Sequence, residues 1–205
     1  MARPALSTAQ IEARREEILD VAEALFDEQG LEAVSFRRIA ARAGCSPNAP
    51  YRVFATKQHV LLGLRIRGYR AVEANLEAAV AGQSRPLDQL RALAAAYIQF
   101  ALDEPARYGL LFTPGDADEA EPELDAAKRA ALGVCQRVIA QAADAGEFRL
   151  ETDALTAAHL FWAAAHGAVS LQLAGQLVMG RSLDRLVASL IATLVRGLSR
   201  PEADA

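Results

Sequence analysis

The chain has 205 residues, enough to bury the core of one large domain or two small ones. Hydrophobic residues make up 52% and aromatic residues only 6%, and since the apolar share is mostly Ala and Leu, we expect an all-α fold. Two distant cysteines predict neither a disulfide framework nor a zinc site, and an N-terminus without an apolar segment argues against secretion. No apolar run approaches the roughly eighteen residues of a membrane span. We therefore expect a cytoplasmic protein.

Charge is distributed unevenly along the chain. The net charge is −4, yet the segment between Ala33 and Val72 contains eight basic residues and no acidic one. The rest of the chain holds the other 14 basic residues and all 26 acidic ones, so a segment of +8 is joined to a remainder of −12. Such a segment is typical of a surface that binds a polyanion, and a solvated basic face is the equally weighted alternative.

The first two predicted helices carry their own start and stop signals. Ser7 and Gln10 have the spacing of a capping box, and Gly30 stops the helix that the apolar spacing predicts over residues 8–29. Ser35 is suited to cap a second helix, only two turns long, that closes at the next glycine.

A third short helix and a long fourth helix are expected to follow. Ser46 is suited to the N-cap and Pro47 to the first helical position, where a missing N–H is harmless. We expect this helix to reach Phe54 in spite of Pro50, which removes only the first intrahelical bond. Thr56 then caps a long helix over 56–80.

Five further helices are predicted in the more alanine-rich and acidic remainder. They cover residues 86–105, 106–112, 122–145, 152–173 (extending as far as 179) and 182–198, with an acidic loop that starts at residue 113. Thr152 is expected to open the fourth of these helices. We assign residues 1–57 to one domain and 58–200 to a second, linked by the helix over 56–80, with 201–205 as a tail.

The second and third predicted helices, joined by a tight turn, have the proportions of a helix-turn-helix, whose second helix enters the DNA major groove. Asn can pair with adenine, Arg with guanine, and Ala permits close approach. The base-reading candidates are Ser46, Asn48, Ala49 and Arg52, all expected to face outwards. The phosphate-binding candidates are Ser35, Arg37, Arg38, Tyr51 and Lys57. A structural helix pair with a basic face is the first alternative; a helical interaction protein whose basic segment binds an acidic lipid or protein is the second.

Residues 18–64 combine Leu25 and Phe26, Gly30, the "IAARAG" of residues 39–44, the Tyr-x-x-Phe of residues 51–54, and Lys57. In this combination they resemble the DNA-binding domain of the TetR-type transcriptional regulators. The resemblance implies that Tyr51 and Lys57 contact phosphate, that Ser35 and Arg38 support the backbone grip, and that the base-reading candidates lie against the bases. Asn48, Ala49 and Pro50 stand where many members have Gly-Thr-Leu, which puts in doubt a base contact often made by Thr or Ser.

A second resemblance lies in the C-terminal part. Trp162 followed four residues later by His166 and Gly167 is similar to the signature of a TetR subgroup. The resemblance implies that the last two predicted helices pair with those of a second subunit in a four-helix bundle.

The few aromatic residues of the second domain are candidates for an apolar ligand cavity, and ordinary core packing is the alternative for any one of them. These pocket candidates are Tyr97, Phe100, Tyr108, Phe112, Phe161, Trp162 and His166. His159 and His166 share a helix face, but no carboxylate or Cys at ligand spacing joins them, so we expect no metal. The chain has no GxSxG, HExxH, P-loop or GxGxxG motif, and we expect neither catalysis nor a cofactor.

Together, the residues and the resemblance predict a homodimeric transcriptional regulator. They favour a repressor that binds a palindromic operator in double-stranded DNA and is released by a small apolar ligand.

Overall fold

The computed structural model describes residues 7–113 and 121–198, and it confirms the all-α fold class. Within these residues there are eight α-helices: α1 (Thr8–Gln29), α2 (Phe36–Arg42), α3 (Lys57–Ala81), α4 (Pro86–Asp103), α5 (Pro105–Phe112), α6 (Pro122–Asp144), α7 (Ala154–Leu173) and α8 (Leu183–Leu198). Two 3₁₀ turns, Leu31–Ala33 and Pro50–Arg52, complete the N-terminal part. Most of the predicted acidic loop and all of the predicted tail lie outside the described residues.

Local capping chemistry sets several of the helix ends as predicted. Ser7 and Gln10 form the reciprocal capping box of α1, and the chain leaves that helix at Gly30, whose φ of 76° lies in the left-handed region that glycine adopts freely. Ser35 Oγ accepts a hydrogen bond from the backbone N–H of Arg38 and so caps α2. Asp153, rather than the predicted Thr152, caps α7, because its carboxylate accepts the Thr156 N–H at 2.9 Å.

The third short helix was predicted wrongly, and the structure has eight α-helices instead of nine. In an α-helix the Ser46 carbonyl would accept from the N–H of residue 50, which proline lacks. That carbonyl accepts from Ala49 N at 2.9 Å instead, which closes a tighter turn, and Pro50 starts the 3₁₀ turn rather than lying inside a helix. Ser46 is therefore not a side-chain helix cap.

The chain forms two compact units, and α3 contributes residues to both. The first unit contains the described residues up to Gly68 together with those of Leu110–Leu124. Its core includes Ile18, Phe26, Ile39, Phe54 and Val60, all at least 95% buried. The helices α1 and α3 approach closely, because a Cβ added at Gly63 would lie only 2.6 Å from Leu19 Cδ2.

The second unit contains Tyr69–Gly109 and the residues from Asp125 onwards. Here α7 packs against α4 and α8, and α4 also contacts α8. Of the described helices, α7 alone is long and apolar enough to cross a membrane. This is weak evidence for a membrane span, because core helices of soluble proteins have the same properties. Leu155, Leu160 and Leu171 of this helix are exposed within the single chain.

Candidate DNA-binding face and effector region

The helix-turn-helix begins with α2, which is held by its buried side. Phe36, Ile39 and Ala40 are buried, and Gly44 adopts a φ of 61° in the turn that follows, a conformation that side chains disfavour. This turn redirects the chain into the segment 45–53, which we call the reading turn.

Three of the four base-reading candidates lie on the surface of the reading turn. Ser46, Asn48 and Arg52 are exposed, as predicted. Ala49 is only 9% exposed, so its expected outward position was wrong. The physical reason is the 3₁₀ geometry: Ala49 is the N-cap of the tighter 3₁₀ turn that starts at Pro50, and both residues are buried.

Tyr51 is the single aromatic residue of the reading turn. It is 59% exposed, and its ring meets Phe36 edge-on with 4.3 Å between the ring centroids. The ring is thus anchored on α2 while most of the side chain stays accessible, as a phosphate-contacting hydroxyl requires.

Arg15 of α1 also holds the reading turn, and sequence reasoning missed it. Its guanidinium donates to the Val53 carbonyl at 3.1 Å and stands 4.6 Å from the centroid of the Phe54 ring. A cation over an aromatic face combined with a hydrogen bond to the backbone fixes the end of the turn from behind. No local signal reveals this role, because 38 positions separate Arg15 from Val53.

The other phosphate-binding candidates lie around the reading turn and differ in whether they already have a hydrogen-bond partner within the chain. Arg37 is exposed and has no partner among the described residues. Arg38 donates to the Gln29 side chain, and Lys57 Nζ donates to the Leu31 carbonyl at 3.2 Å. Ser35 uses its hydroxyl as the α2 cap. These groups can still turn toward a phosphate, since their partners are neutral.

Three of the eight basic residues counted in the sequence are instead occupied by the fold. Arg42 forms a two-pronged pair with Glu28 at 2.5 and 2.6 Å, and its hydrogen bond lowers the pKa of that carboxyl. Arg65 is buried and donates to the Leu111 carbonyl at 3.3 Å. Arg67 is surrounded by carboxylates of α1, which are those of Glu16, Asp20 and Glu23. Arg70 belongs to the second unit, so four of the eight remain for DNA in the first unit: Arg37, Arg38, Arg52 and Lys57.

The second unit contains a closed chain of hydrogen bonds among four of the pocket candidates. Trp162 Nε1 donates to Tyr97 Oη at 3.2 Å, Tyr97 Oη to Tyr108 Oη at 3.4 Å, and Tyr108 Oη lies 2.6 Å from His166 Nδ1. Burial raises the pKa of Tyr97 and Tyr108 and lowers the pKa of His166, so neutral forms are favoured throughout. The neutral imidazole then accepts at Nδ1 and carries its hydrogen on Nε2.

The remaining pocket candidates are three phenylalanines outside this polar cluster. Phe100 stands edge-on to Tyr108, with 6.4 Å between ring centroids. Phe161 is buried beside a cavity of only about 20 Å³ that α8 also lines. Phe112 belongs to the first unit. That these aromatic residues line one ligand cavity stays a prediction.

A larger cleft lies next to Phe100, and sequence reasoning did not anticipate it. Its volume is about 470 Å³, and it is lined by α3, α4, and the start of α5: Ala71, Asn75, Ala96, Gln99, Phe100, Asp103, Glu104 and Arg107. The available signal was the pair Gln99 and Asp103, two polar residues one helical turn apart beside the apolar stripe of α4.

Residue groups suited to a metal ion are not found in the described part of the chain. It contains no group of three or more His, Cys, Asp or Glu side chains that could hold a metal ion. Burial raises the pKa of Cys135 to about 12, which keeps its thiol protonated and unreactive.

Two family models match the chain. Residues 18–64 match "Bacterial regulatory proteins, tetR family", and residues 90–194, more than half of the chain, match "Tetracyclin repressor-like, C-terminal domain". The chain belongs to the TetR family. Members are transcriptional regulators, and this favours the regulator over the interaction-protein alternative.

Individual relatives agree with this assignment. An uncharacterised HTH-type transcriptional regulator from Mycobacterium tuberculosis is 27% identical over 186 residues, which cover 91% of this chain and 82% of the relative. A solved structure of a protein of unknown function from Rhodococcus sp. RHA1 is 30% identical, with a TM-score of 0.79 over 91% of this chain and 96% of that one. The TetR-family repressor FadR from Thermus thermophilus, solved with lauroyl-CoA, shares the fold at 19% identity, with a TM-score of 0.67 over 93% and 98% of the two chains.

Proposed function

We propose that this protein is a cytoplasmic, non-enzymatic TetR-family repressor that binds a palindromic operator as a dimer. The observation that carries the proposal is the reading turn itself. It presents Ser46, Asn48, Tyr51 and Arg52 on the surface, directly after an α2 whose other side is buried. Proteins that recognise bases in the DNA major groove use hydrogen-bonding side chains on a short, rigid element.

The proposed DNA contacts are of two kinds, contacts to base edges and contacts to phosphates. Asn48 and Arg52, with Ser46, contact base edges, and the Ala49 backbone rather than its buried side chain faces the DNA. Arg37, Arg38, Tyr51 and Lys57 hold phosphates, joined by the N–H groups at the start of α2, which Ser35 caps. In this proposal residues 1–57 act as the DNA-binding domain, and 58–200 as the effector and dimerisation domain.

We further propose that α7 and α8 form the dimer interface. Leu155, Leu160 and Leu171 leave apolar surface exposed on α7 within one chain, and such surface is typical of a protein-protein contact. Gly167 supports this location. A Cβ added there would meet nothing within 4 Å inside the chain, so packing within the chain does not explain a glycine that weakens the helix. The close approach of a partner helix would explain it, and would give the Trp-x-x-x-His-Gly subgroup signature a physical basis.

A small-molecule effector bound in the second unit completes the proposal. The helix α3 begins directly after the reading turn and continues into the second unit, so an effector that moves its far end would change the spacing of the two reading turns. By thermodynamic linkage, such an effector must bind the DNA-free state more tightly than the DNA-bound state.

The test of the proposed function is selection of the purified protein against a random duplex library, followed by binding of the winning sequence at several salt concentrations. We expect a palindromic site and a steep salt dependence. Replacing Arg52→Ala should relax the preference at one position of each half-site, whereas Arg91→Ala, an exposed arginine of α4, should leave the selected site unchanged. Binding that is salt-sensitive but indifferent to sequence would refute the proposal.

A further inference from the structure

The cleft along α3, α4 and α5 has the size and the wall of a small-molecule site. Its volume of about 470 Å³ falls in the range of roughly 300–1,000 Å³ typical of such sites. Ala71, Ala96 and Phe100 supply apolar surface, and the polar residues stand around them. A ligand that fits this wall has an apolar body and a small number of polar or charged atoms.

The charges at the end of the cleft do not cancel. Arg107 Nε lies 2.7 Å from Glu104 Oε2, so these two groups neutralise each other. Asp103 accepts a hydrogen bond from Gln99 Nε2 at 2.7 Å, and this neutral donor orients the carboxylate without balancing its charge. Among the described residues, no lysine, arginine or histidine forms an ion pair with Asp103. The lining therefore retains one negative charge on a carboxylate that is already positioned.

Phe100 adds a second feature that favours a cation. The face of an aromatic ring attracts positive charge at distances of up to about 6 Å. The ring of Phe100 is half-buried and stands edge-on to Tyr108, which in turn is hydrogen-bonded to His166. Phe100 thus contacts the polar cluster through Tyr108 and also contributes to the cleft wall.

The polar cluster of Tyr97, Tyr108, Trp162 and His166 is a less suitable binding site than the cleft. Tyr97, Tyr108, Trp162 and His166 already bind one another, and a ligand that used their polar atoms would first have to break those bonds. The cleft requires no such rearrangement, and its net negative charge disfavours an anion.

We propose that this cleft binds an organic monocation with an aromatic or branched apolar body, held by Asp103 and Phe100. In this proposal, which rests on the proposed function, a cation of that class is the effector. Its charge lies near the Asp103 carboxylate, and its apolar body covers Phe100 and the two alanines.

The test uses the purified full-length protein and two probes of the same shape and opposite charge, tetraphenylphosphonium and tetraphenylborate, in isothermal titration calorimetry. We expect the phosphonium to bind once per chain and more tightly than the borate. Asp103→Asn should weaken phosphonium binding roughly fivefold, as expected for a partly solvated charge pair. Asp88→Asn, which removes another, partly exposed carboxylate of α4 that pairs with Arg91 outside the cleft, should leave the affinity unchanged.

A second variant tests the ring, and thermal melting checks that each variant is folded. Phe100→Leu keeps an apolar side chain but removes the ring, and should weaken phosphonium binding while changing borate binding less. Equal affinities for the two probes, or phosphonium binding that does not respond to Asp103→Asn, would overturn the cation site.

Operator binding separates this inference from the proposed function. With the selected operator, phosphonium should lower the affinity of the wild type and leave that of Asp103→Asn largely unchanged. Charge-dependent binding without loss of operator affinity would support the site and refute its role as the effector site. A protein that binds no operator at all would refute the proposed function, while the calorimetry would still decide whether the cation site exists.

Discussion

Two arginines of the same basic segment are expected to have different roles, one in DNA binding and the other in the stability of the fold. Arg37 is exposed without a partner among the described residues, whereas Arg67 is only 19% exposed in its side chain and lies among Glu16, Asp20 and Glu23. Arg37→Ala should therefore change DNA binding with little effect on folding, and Arg67→Ala should do the reverse. The count of charges in the sequence treats the two residues as equivalent.

The magnitudes follow from the number of contacts. Each phosphate contact contributes about 0.9 to the slope of log affinity against log salt, so losing Arg37 from both subunits of a dimer should flatten the slope by about 1.8. Removing Arg67 leaves three carboxylates without their shared cation. Because two of them are largely solvated, we expect a loss of only about 1 kcal/mol in the free energy of unfolding.

The assay pairs two measurements on each variant. Fluorescence anisotropy with the selected operator at five salt concentrations gives the slope, and urea unfolding followed by circular dichroism gives the stability. If Arg67→Ala flattened the salt slope as much as Arg37→Ala while leaving stability unchanged, the assignment of Arg67 to the fold would be wrong.

Three further predictions concern the helix caps and the polar cluster. Ser35→Ala should lower the free energy of unfolding by about 1 kcal/mol, because the Ser35 hydroxyl caps α2. Ser46→Ala should have little effect, because Ser46 accepts its hydrogen bond through the backbone carbonyl, which the substitution keeps. Equal losses of the two variants in urea unfolding would contradict this prediction. Tyr108→Phe should cost about 1 kcal/mol by removing the 2.6 Å hydrogen bond to His166, and an unchanged unfolding midpoint would argue against that bond. Because burial lowers the pKa of His166, emission of the single tryptophan, Trp162, should titrate with a midpoint below about pH 6.5, and the titration should vanish in His166→Gln. Stability should fall as the pH drops from about 6.5 through the folded-state pKa, because the unfolded chain binds the proton more readily; a midpoint above 6.5 would contradict the buried position.

The sequence was informative wherever the deciding interaction is local. The capping box of Ser7 and Gln10, the cap at Ser35 and the stop at Gly30 each involve atoms within four residues, so residue types and spacing were sufficient. The reading turn shows the limit of such reasoning. Pro50 was treated as removing one tolerable bond, yet that bond is the one that would have made the segment an α-helix.

Charge could not be assigned from the sequence in the same way. Arg67 finds Glu16 and Glu23 at separations of 51 and 44 positions, and Arg65 finds the Leu111 carbonyl 46 positions away. These partners come together only when α1, α3 and the residues after Gly109 pack in one unit. A run of basic residues therefore sets an upper limit on the charge offered to DNA, and tertiary ion pairs determine how much of it remains.

The contacts of the polar cluster could be predicted from the sequence only in part. Trp162 and His166 lie one helical turn apart, so the sequence already places a donor and an acceptor on the same side of α7. Their partner Tyr97 is 65 and 69 positions away, and only packing of α7 against α4 reveals that this donor and acceptor are satisfied within the chain. With these groups satisfied, the cation site proposed above uses the cleft lined by Phe100 instead. In that proposal, the charge of Asp103, rather than the abundance of aromatic rings, determines which molecules bind in the second unit.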